Sequence, residues 1–287
     1  MKDLIVAGIV LYNPDISRLT ENINAIINQV DYVILADNGS DNRVLFPQAL
    51  PDSDKIITIY SPENKGIAWA LNRIFERALE LEAAWVLTLD QDSVCPPDIV
   101  NDYRAYLASQ GSRSEGIDEP AEYIGILCPT IADKNAGVIE GGHTDARPTR
   151  RCITSGALTS CRGWVAIHGF DEKMFIDGVD FDYCDRLWQA GYQVIRVGSI
   201  RLTHELGHMT THHFLFSTVK VQNHSALRKY YIVRNRFYLS RKQGKPLAVL
   251  GSFCFVIKFS ATILLFEQDK KTKIRAVLRG MRDGLRM

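Results

Sequence analysis

Apolar residues run unbroken from Leu4 to Tyr12, a pattern that fits a strand buried on both faces. Asn13-Pro14-Asp15 breaks it. From Ser17 to Val30 the apolar positions Leu19, Ile23, Ile26, Ile27 and Val30 take helical spacing, and Tyr32–Ala36 returns to an apolar strand that stops at Asp37-Asn38-Gly39-Ser40. The alternation repeats: Lys55–Tyr60 reads as a strand, Ile67–Ala84 as a helix and Trp85–Leu89 as a strand ending at Asp90-Gln91-Asp92-Ser93. Strands alternating with helices predict an α/β domain built on a mainly parallel sheet. Further along, Tyr123–Cys128, Cys152–Ser160 and Gln193–Val197 read as strands, and about 161–168 and 180–190 as helices, the second ended by Gly191. Residues 110–125 and 133–150 read as loops, the latter with room for a short hairpin, and the last seventy residues as helical.

In open α/β sheets ligands bind beyond the carboxyl ends of the strands. The polar clusters at Asn13, Asp37 and Asp90/Asp92 fall at such ends. Asp90 and Asp92, two residues apart after a buried strand, have the oxygen chemistry that Mg2+ or Mn2+ takes, usually alongside substrate phosphates. Asp37 has two readings. Its carboxylate can accept an imide N–H from a nucleotide base, or it can close an Asx turn, which Asp-Asn-Gly-Ser favours. Asp177, Asp180, Asp182 and Asp185 place four acids at a predicted helix start, where exposed N–H groups stabilise them. If they converge they raise one another's pKa, which suits a general base near neutral pH.

Composition narrows the class but adds little chemistry. At 287 residues, 46% hydrophobic and 23% charged, the chain is an ordinary globular one, long enough for one large domain or two small ones. The six cysteines form no CxxC pair and read as plain thiols of a reducing compartment, and the N-terminus reads as a buried strand, not a leader. Charge changes the picture more. Net charge is +1, but residues 1–200 carry −12 and residues 201–287 carry +13. A basic tail of this kind meets an anionic surface, or docks on its own acidic body. Nucleic-acid motifs are missing, which turns the reading away from nucleic acid.

Several motifs, taken in order, resemble the family-two inverting glycosyltransferases of GT-A fold. They are Tyr12-Asn13, Asp37-Asn38-Gly39-Ser40, Asn64-Lys65-Gly66 with Asn72, Asp90-Gln91-Asp92, Ser155-Gly156, Gly169-Phe170-Asp171-Glu172 and Val179-Asp180 with Arg186. The resemblance covers about residues 3–240. Asp-Gln-Asp-Ser, Phe-Ile-Asp-x-Val-Asp and Tyr230-Tyr231-Ile232-Val233-Arg234-Asn235 look like the bacterial rhamnosyltransferases within that family. It implies a GT-A, Rossmann-like catalytic domain over 1–215, with a donor half at about 1–95 and an acceptor half at about 120–215. A helical, basic region follows over 216–287. It implies that Asp37 reads the base, that Val10 and Tyr12 line the donor pocket with Lys65, Gly66 and Asp90, that Asp92 and His204 hold Mg2+ or Mn2+, and that Asp180 is the catalytic base. The family commonly has Glu-Asp where this chain has Val179-Asp180, so a neighbouring acid is missing. The implied reaction is metal-dependent transfer of L-rhamnose from dTDP-rhamnose, with inversion, to a glycan or polyprenyl-diphosphate-linked acceptor in bacterial surface polysaccharide synthesis. A UDP- or GDP-sugar is the alternative donor.

Readings from other classes compete. His204-Glu205-Leu206-Gly207-His208 matches the zinc-protease signature, which works on a helix; here it follows Val/Ile/Thr-rich sequence and contains a glycine. A sugar-phosphate nucleotidyltransferase would need a Gly-rich, basic N-terminal segment, and Val6-Ala7-Gly8-Ile9 is neither. A non-catalytic binding module would keep the fold without needing Asp90, Asp92 and Asp180. Trp69, Trp164 and Trp188 sit in helical stretches and read as packing residues, and Asn64-Lys65-Gly66-Ile67 as a helix entry if it holds no ligand. In the tail, Pro246–Phe266 has 15 apolar residues among 21, long enough to span a bilayer, but Lys258 near its middle disfavours a span. Basic residues flank it, so it is expected to lie in the membrane interface, with residues 241–287 in peripheral contact with an anionic membrane at the cytoplasmic face of the inner membrane. Packing on the catalytic domain or across a homodimer is the alternative.

Overall fold

The computed structural model describes residues 3–111, 123–133, 137–138, 145–204, 210–214, 217–221, 223–244 and 246–287. The chain forms two compact units, one of residues 1–173 and 179–205, the other of 174–178 and 206–287.

The first unit is a mixed sheet with helices on both faces. Its first half runs β1 (Ile5–Leu11), α1 (Ile16–Ile26), β2 (Tyr32–Asp37), a 3-10 turn at Arg43–Gln48, β3 (Ile56–Tyr60), α2 (Ile67–Glu80), β4 (Trp85–Asp90) and α3 (Ile99–Gly111). The second half runs β5 (Ile124–Asp133), β6 (Gly137–Val138), β7 (Arg147–Pro148), β8 (Ala157–Ser160), α4 (Cys161–Ala166), α5 (Val179–Gln189) and β9 (Gln193–His204). The strand order is β3-β2-β1-β4-β8-β5-β9-β7, with β6 paired to β5. β1 to β4 are mutually parallel; β8 is antiparallel to both β4 and β5, and β5 is parallel to β9. Six strands therefore share one direction and one carboxyl edge. This is the mainly parallel sheet flanked by helices that the alternation predicts.

Side chains alternate across the sheet with period two. Ile5, Ala7, Ile9 and Leu11 of β1, with Trp85, Leu87 and Leu89 of β4, enter one core with α1 and α3. Val6, Gly8 and Val10 face α2. A Cβ on Gly8 would come within 2.4 Å of Ile74 Cγ2, so the helix lies directly on the strand.

The structure differs from the sequence reading at element ends. α2 stops at Glu80, short of Ala84: Glu82 takes φ 58°, and the Ala83 N–H bonds the Ala78 carbonyl across the turn. β9 runs on to His204, because its pairing with β5 resumes after a bulge that shifts the partner of Pro129, Val197, to Arg201 for Thr130. The pattern Ile99, Val100, Tyr103, Leu107 forms α3, which was not read as a helix.

The second unit opens with an antiparallel hairpin, β10 (Thr210–Phe214) and β11 (Ser217–Val221). The first residues of the tail are therefore strand, where helix was expected. Three helices follow, α6 (Ala226–Lys242), α7 (Pro246–Phe266) and α8 (Lys270–Arg286). α8 lies against α6 through Gly280 and Gly284, where an added Cβ would come within 2.4 and 2.3 Å of the Tyr230 and Arg234 carbonyl oxygens. Val233, Phe237, Val256, Ile263 and Val277 form the core between the helices. Lys229, Glu267 and Lys273 are also buried here. Glu267 accepts from Lys229 Nζ at 2.7 Å and from Lys273 Nζ at 2.8 Å, so each ammonium meets one oxygen of the shared carboxylate. Burial pulls the Lys229 ammonium below its ordinary pKa, against the pull of Glu267.

Candidate functional site

The carboxyl edge of β2, β1 and β4 brings Asp37, Val10 and Asp90 level. Leu11 pairs with Asp37 and Val10 with both Ala36 and Asp90. By the alternation Val10 and Asp90 leave the sheet on the α2 face and Asp37 on the α1 face. What the three share is the edge itself, where the strand order switches direction about β1.

Asp37 is fully buried. Its Oδ1 accepts from the Ser40 N–H at 3.0 Å, which is the turn reading, while Oδ2 is buried with no hydrogen-bond partner among the described residues. Neighbouring polar groups build the loops around it. Asn38 donates Nδ2 to Asn64 Oδ1 at 3.0 Å, and its own Oδ1 accepts from the Lys65 N–H at 2.9 Å. Asn64 Oδ1 also accepts from the Gly66 N–H. Gly66 caps α2 at φ 91°, a backbone state that favours glycine. Gly39, at φ 79°, lets the turn pass the Glu63 and Asn64 backbone, which a Cβ would meet at 2.5–2.8 Å. Lys65 is exposed, with Nζ 5.3 Å from the centre of the Trp69 ring. Asn64-Lys65-Gly66 is thus a helix entry tied to the Asp37 turn.

The β4 end is held through its backbone. Asn22 Nδ2 donates to the Asp90 carbonyl at 2.8 Å and Arg18 Nε to the Asp92 carbonyl at 2.9 Å. Ser155 Oγ lies 2.7 Å from Ser93 Oγ and accepts from the Asp90 N–H at 3.3 Å. Gln91 Oε1 accepts from the Tyr12 N–H at 2.8 Å, joining the β4 loop to the β1 loop. Tyr12 is about half exposed, and Asp92 is exposed with no hydrogen bond or ion pair to its carboxylate among the described residues.

Three of the four acids of the 177–185 segment accept from arginines. Asp182 Oδ2 accepts from Arg186 Nε at 2.7 Å, and Asp185 from Arg150 Nε at 3.1 Å and Arg151 Nη2 at 2.6 Å. Within the second unit Asp177 accepts from Arg228 Nε at 3.1 Å. Burial raises the Asp177 pKa, with Arg228 opposing it. Asp182, Asp185 and Asp177 thus each close an ion pair with an arginine. Asp180 stands half-buried in the first turn of α5. Arg186 fixes that helix, since its Nη1 also donates to the Ile167 and Gly169 carbonyls at 2.8 and 2.7 Å. Asn72 of α2 grips the same loop from the other side. Its Oδ1 accepts from the Phe170 N–H at 2.8 Å, and Nδ2 donates to the Phe170 carbonyl and to Glu172. Asn72, Gly169, Phe170, Glu172 and Arg186 are therefore the frame that carries Asp180.

His204 ends β9, its backbone paired with Asp133 on the shared carboxyl edge. β9 lies three strands from β4, about 14 Å at the usual strand spacing. His204 belongs to a strand, so the protease motif does not start on a helix; Glu205–His208 lie outside the described residues. Trp164 stacks on Phe75 at 5.6 Å and Trp188 Nε1 donates to the Thr149 carbonyl, as packing residues do. All six cysteines are free thiols.

Residues 7–111 match the glycosyl transferase family 2 model. That range runs from within β1 to the end of α3 and includes Val10, Tyr12, Asp37, Lys65, Gly66, Asp90 and Asp92. Over its full length the chain is 27% identical to a protein named dTDP-rhamnosyl transferase RfbF from Shigella flexneri, covering 97% of that protein. It is a glycosyltransferase. Solved structures agree on the fold. S. aureus TarS 1–349 matches with TM-score 0.60 and 12% identity, over 98% of this chain and 80% of that one. GalNAc-T7 with UDP, GalNAc and Mn2+ matches with TM-score 0.58 and 14% identity, over 85% of this chain and about half (51%) of its own length.

Among the described residues of the glycosyltransferase, no three His, Cys, Asp or Glu side chains form a metal cage. The donor set still fits Mg2+ or Mn2+. Asp90 and Asp92 supply hard oxygens at the strand end, the Asp92 carboxylate faces solvent, and such ions complete their shell with substrate phosphates and water. Asn22, Arg18 and Gln91, which hold this edge, were given no role from sequence. Asn22 did leave a signal: a polar residue inside the apolar stripe Leu19, Ile23, Ile26, and fully buried.

Proposed function

We propose that this glycosyltransferase moves L-rhamnose from dTDP-rhamnose, with inversion, to a hydroxyl of a glycan or polyprenyl-diphosphate-linked acceptor. The observation that carries the donor site is Asp37 Oδ2, a buried acceptor without a donor at the carboxyl end of β2. An imide N–H of a pyrimidine satisfies it, and a buried acceptor left unmet is costly. Thymine is favoured over uracil by the full-length likeness to a dTDP-rhamnosyl transferase. A UDP-sugar is the second reading, favoured by the UDP-GlcNAc in a TarS 1–349 complex of the same fold.

In this reading the 1–215 region is catalytic, with Val10 and Tyr12 lining the donor pocket and Lys65 and Gly66 at its α2 side. Asp90 and Asp92 would hold Mg2+ or Mn2+, which when bound would neutralise charge on the nucleoside diphosphate, while His204, three strands along the same carboxyl edge, lies too far from β4 at the usual strand spacing to share that ion with them. Asp180 accepts the proton of the acceptor hydroxyl as its oxygen bonds to the anomeric carbon. The bond to the diphosphate breaks on the opposite face, and the configuration inverts. Alignment of acceptor and donor supplies much of the rate. The basic 241–287 region meets an anionic membrane at the cytoplasmic face, in surface polysaccharide synthesis.

The test is release of nucleoside diphosphate from dTDP-rhamnose, UDP-sugars and GDP-sugars, with Mn2+ and with chelator. Release from dTDP-rhamnose above the others is expected. Preference for a UDP- or GDP-sugar would replace the donor, and no release from any would overturn the site.

A further inference from the structure

The second unit carries two exposed stripes, one apolar on α7 and one basic on α8. On α7, Leu247, Leu250, Cys254, Ile257, Ala261 and Leu264 recur at steps of three and four and are all exposed, Leu247 by 81% and Ile257 by 71%. Ser252, Val256 and Ile263, on the opposite side, are buried. The helix is long and apolar enough to cross a membrane, with mean hydropathy 2.1, yet 17% of its apolar window is buried. On α8, Lys271, Arg275, Arg279, Arg282 and Arg286 recur at three- and four-residue steps on the exposed side, opposite the buried Lys273, Ala276, Val277, Gly280 and Gly284.

Three observations decide how such a surface is covered. First, the inner face of α7 is fixed to protein along its length: Ser252 Oγ lies 2.7 Å from Ser240 Oγ of α6, Val256 and Ile263 enter the core, and Glu267, just past its end, closes the ion triad with Lys229 and Lys273. A span would put hydrocarbon around α6, which carries Arg228, Arg234, Arg236 and Arg241, and around a buried ion triad. Second, Lys258 lies a little over a quarter turn from Ile257, at the margin of the apolar face, where its ammonium can reach out of an apolar layer. Third, α7 contains no acid, so two copies paired along this stripe would bring lysines together with nothing to neutralise them.

We infer that the second unit docks in the plane of an anionic bilayer, with the outer face of α7 at the acyl boundary and the basic stripe of α8 on lipid headgroups. The inference deepens the membrane contact proposed above, rests on that reading, and is independent of the donor. An amphipathic helix with basic neighbours binds an anionic interface by both terms.

The test is flotation of the full chain with phosphatidylcholine vesicles, with and without phosphatidylglycerol. In the same preparations, nucleotide binding reports folding and the donor site, and light scattering reports mass. Expected is binding to the anionic vesicles, release by high salt, and release by alkaline carbonate. Ile257→Glu, at an exposed site, lowers binding at least about tenfold, and Lys271→Glu with Arg275→Glu lowers it comparably for anionic vesicles. Nucleotide binding stays unchanged in both. Failure of the wild-type chain to float would overturn both the contact and its geometry. Flotation that Ile257→Glu leaves intact would overturn this geometry alone. Resistance to carbonate would mean a span. A dimer that Ile257→Glu dissociates, without flotation, would mean the stripe pairs with a second copy.

Discussion

Two acidic regions of the first unit are built in opposite ways. At the β2 and β4 ends, protein donors hold backbone and one carboxylate oxygen: Ser40 takes Asp37 Oδ1, Asn22 the Asp90 carbonyl and Arg18 the Asp92 carbonyl. Asp37 Oδ2 and the Asp92 carboxylate are left with no protein donor among the described residues. On α5 it is the carboxylates that are held, Asp182 by Arg186 and Asp185 by Arg150 and Arg151. An acid with its backbone fixed and its carboxylate open is prepared for a ligand. An acid whose carboxylate closes an ion pair is prepared to hold a helix. The proposed base, Asp180, sits among acids of the second kind, so its role depends on where α5 puts it.

The sharpest way to break this contrast is at Asp180. Asp180→Asn should lower turnover by about 10²–10⁴, the usual worth of a general base, and leave donor affinity intact. Asp182→Asn should instead lower thermal stability, because it removes a partner of the largely buried Arg186. If Asp182→Asn abolished turnover with full stability, the division between the two kinds of acid would be wrong.

Next in size is Asp37→Ala. Losing a hydrogen bond to a charged group costs about 1.5–3 kcal/mol, so nucleoside diphosphate should bind about 10–100-fold more weakly, with turnover at saturation nearly kept. Titration calorimetry and a KM-against-kcat comparison check it. Gln91→Ala removes the bond between the β4 and β1 loops, worth about 1 kcal/mol. It should raise KM for the donor about fivefold. An unchanged KM would show that the two loops are positioned without that bond.

The smallest effect is on stability in the second unit. Burial lowers the His224 pKa to about 4, with Arg228 and Lys229 adding to it. The unfolded chain then binds a proton that the folded chain refuses between about pH 6.5 and 4, so stability should fall as pH falls through that window. His224→Asn should flatten the fall in a series of thermal melts. An identical pH profile in the variant would assign it to other groups.

The sheet was legible because apolar runs such as Leu4–Leu11 and Trp85–Leu89 have no other use than burial, and because Asp37 and Asp90 punctuate them. α3 received no assignment although Ile99, Val100, Tyr103 and Leu107 have helical spacing, and its last residues fall in the 110–125 segment that reads as loop. For the 177–185 acids, sequence shows the spacing but not Arg150 and Arg151, some 35 residues upstream, which pair with Asp185. Asn72 and Arg186 carried the family resemblance, yet their bonds show them holding the loop at Gly169–Phe170. A motif residue can mark a site while touching only the frame around it.

The central claim is that the β2–β1–β4 edge is a nucleoside diphosphate site read by Asp37 and completed by a divalent ion. Calorimetric titration of dTDP, UDP and GDP into wild-type, Asp37→Ala and Asp92→Ala chains, with and without Mn2+, tests it most directly. The account predicts that dTDP binds tightest, that Mn2+ strengthens binding in the wild type and not in Asp92→Ala, and that Asp37→Ala weakens it with and without the ion. Nucleotide binding indifferent to Asp37, Asp92 and Mn2+ alike would contradict it.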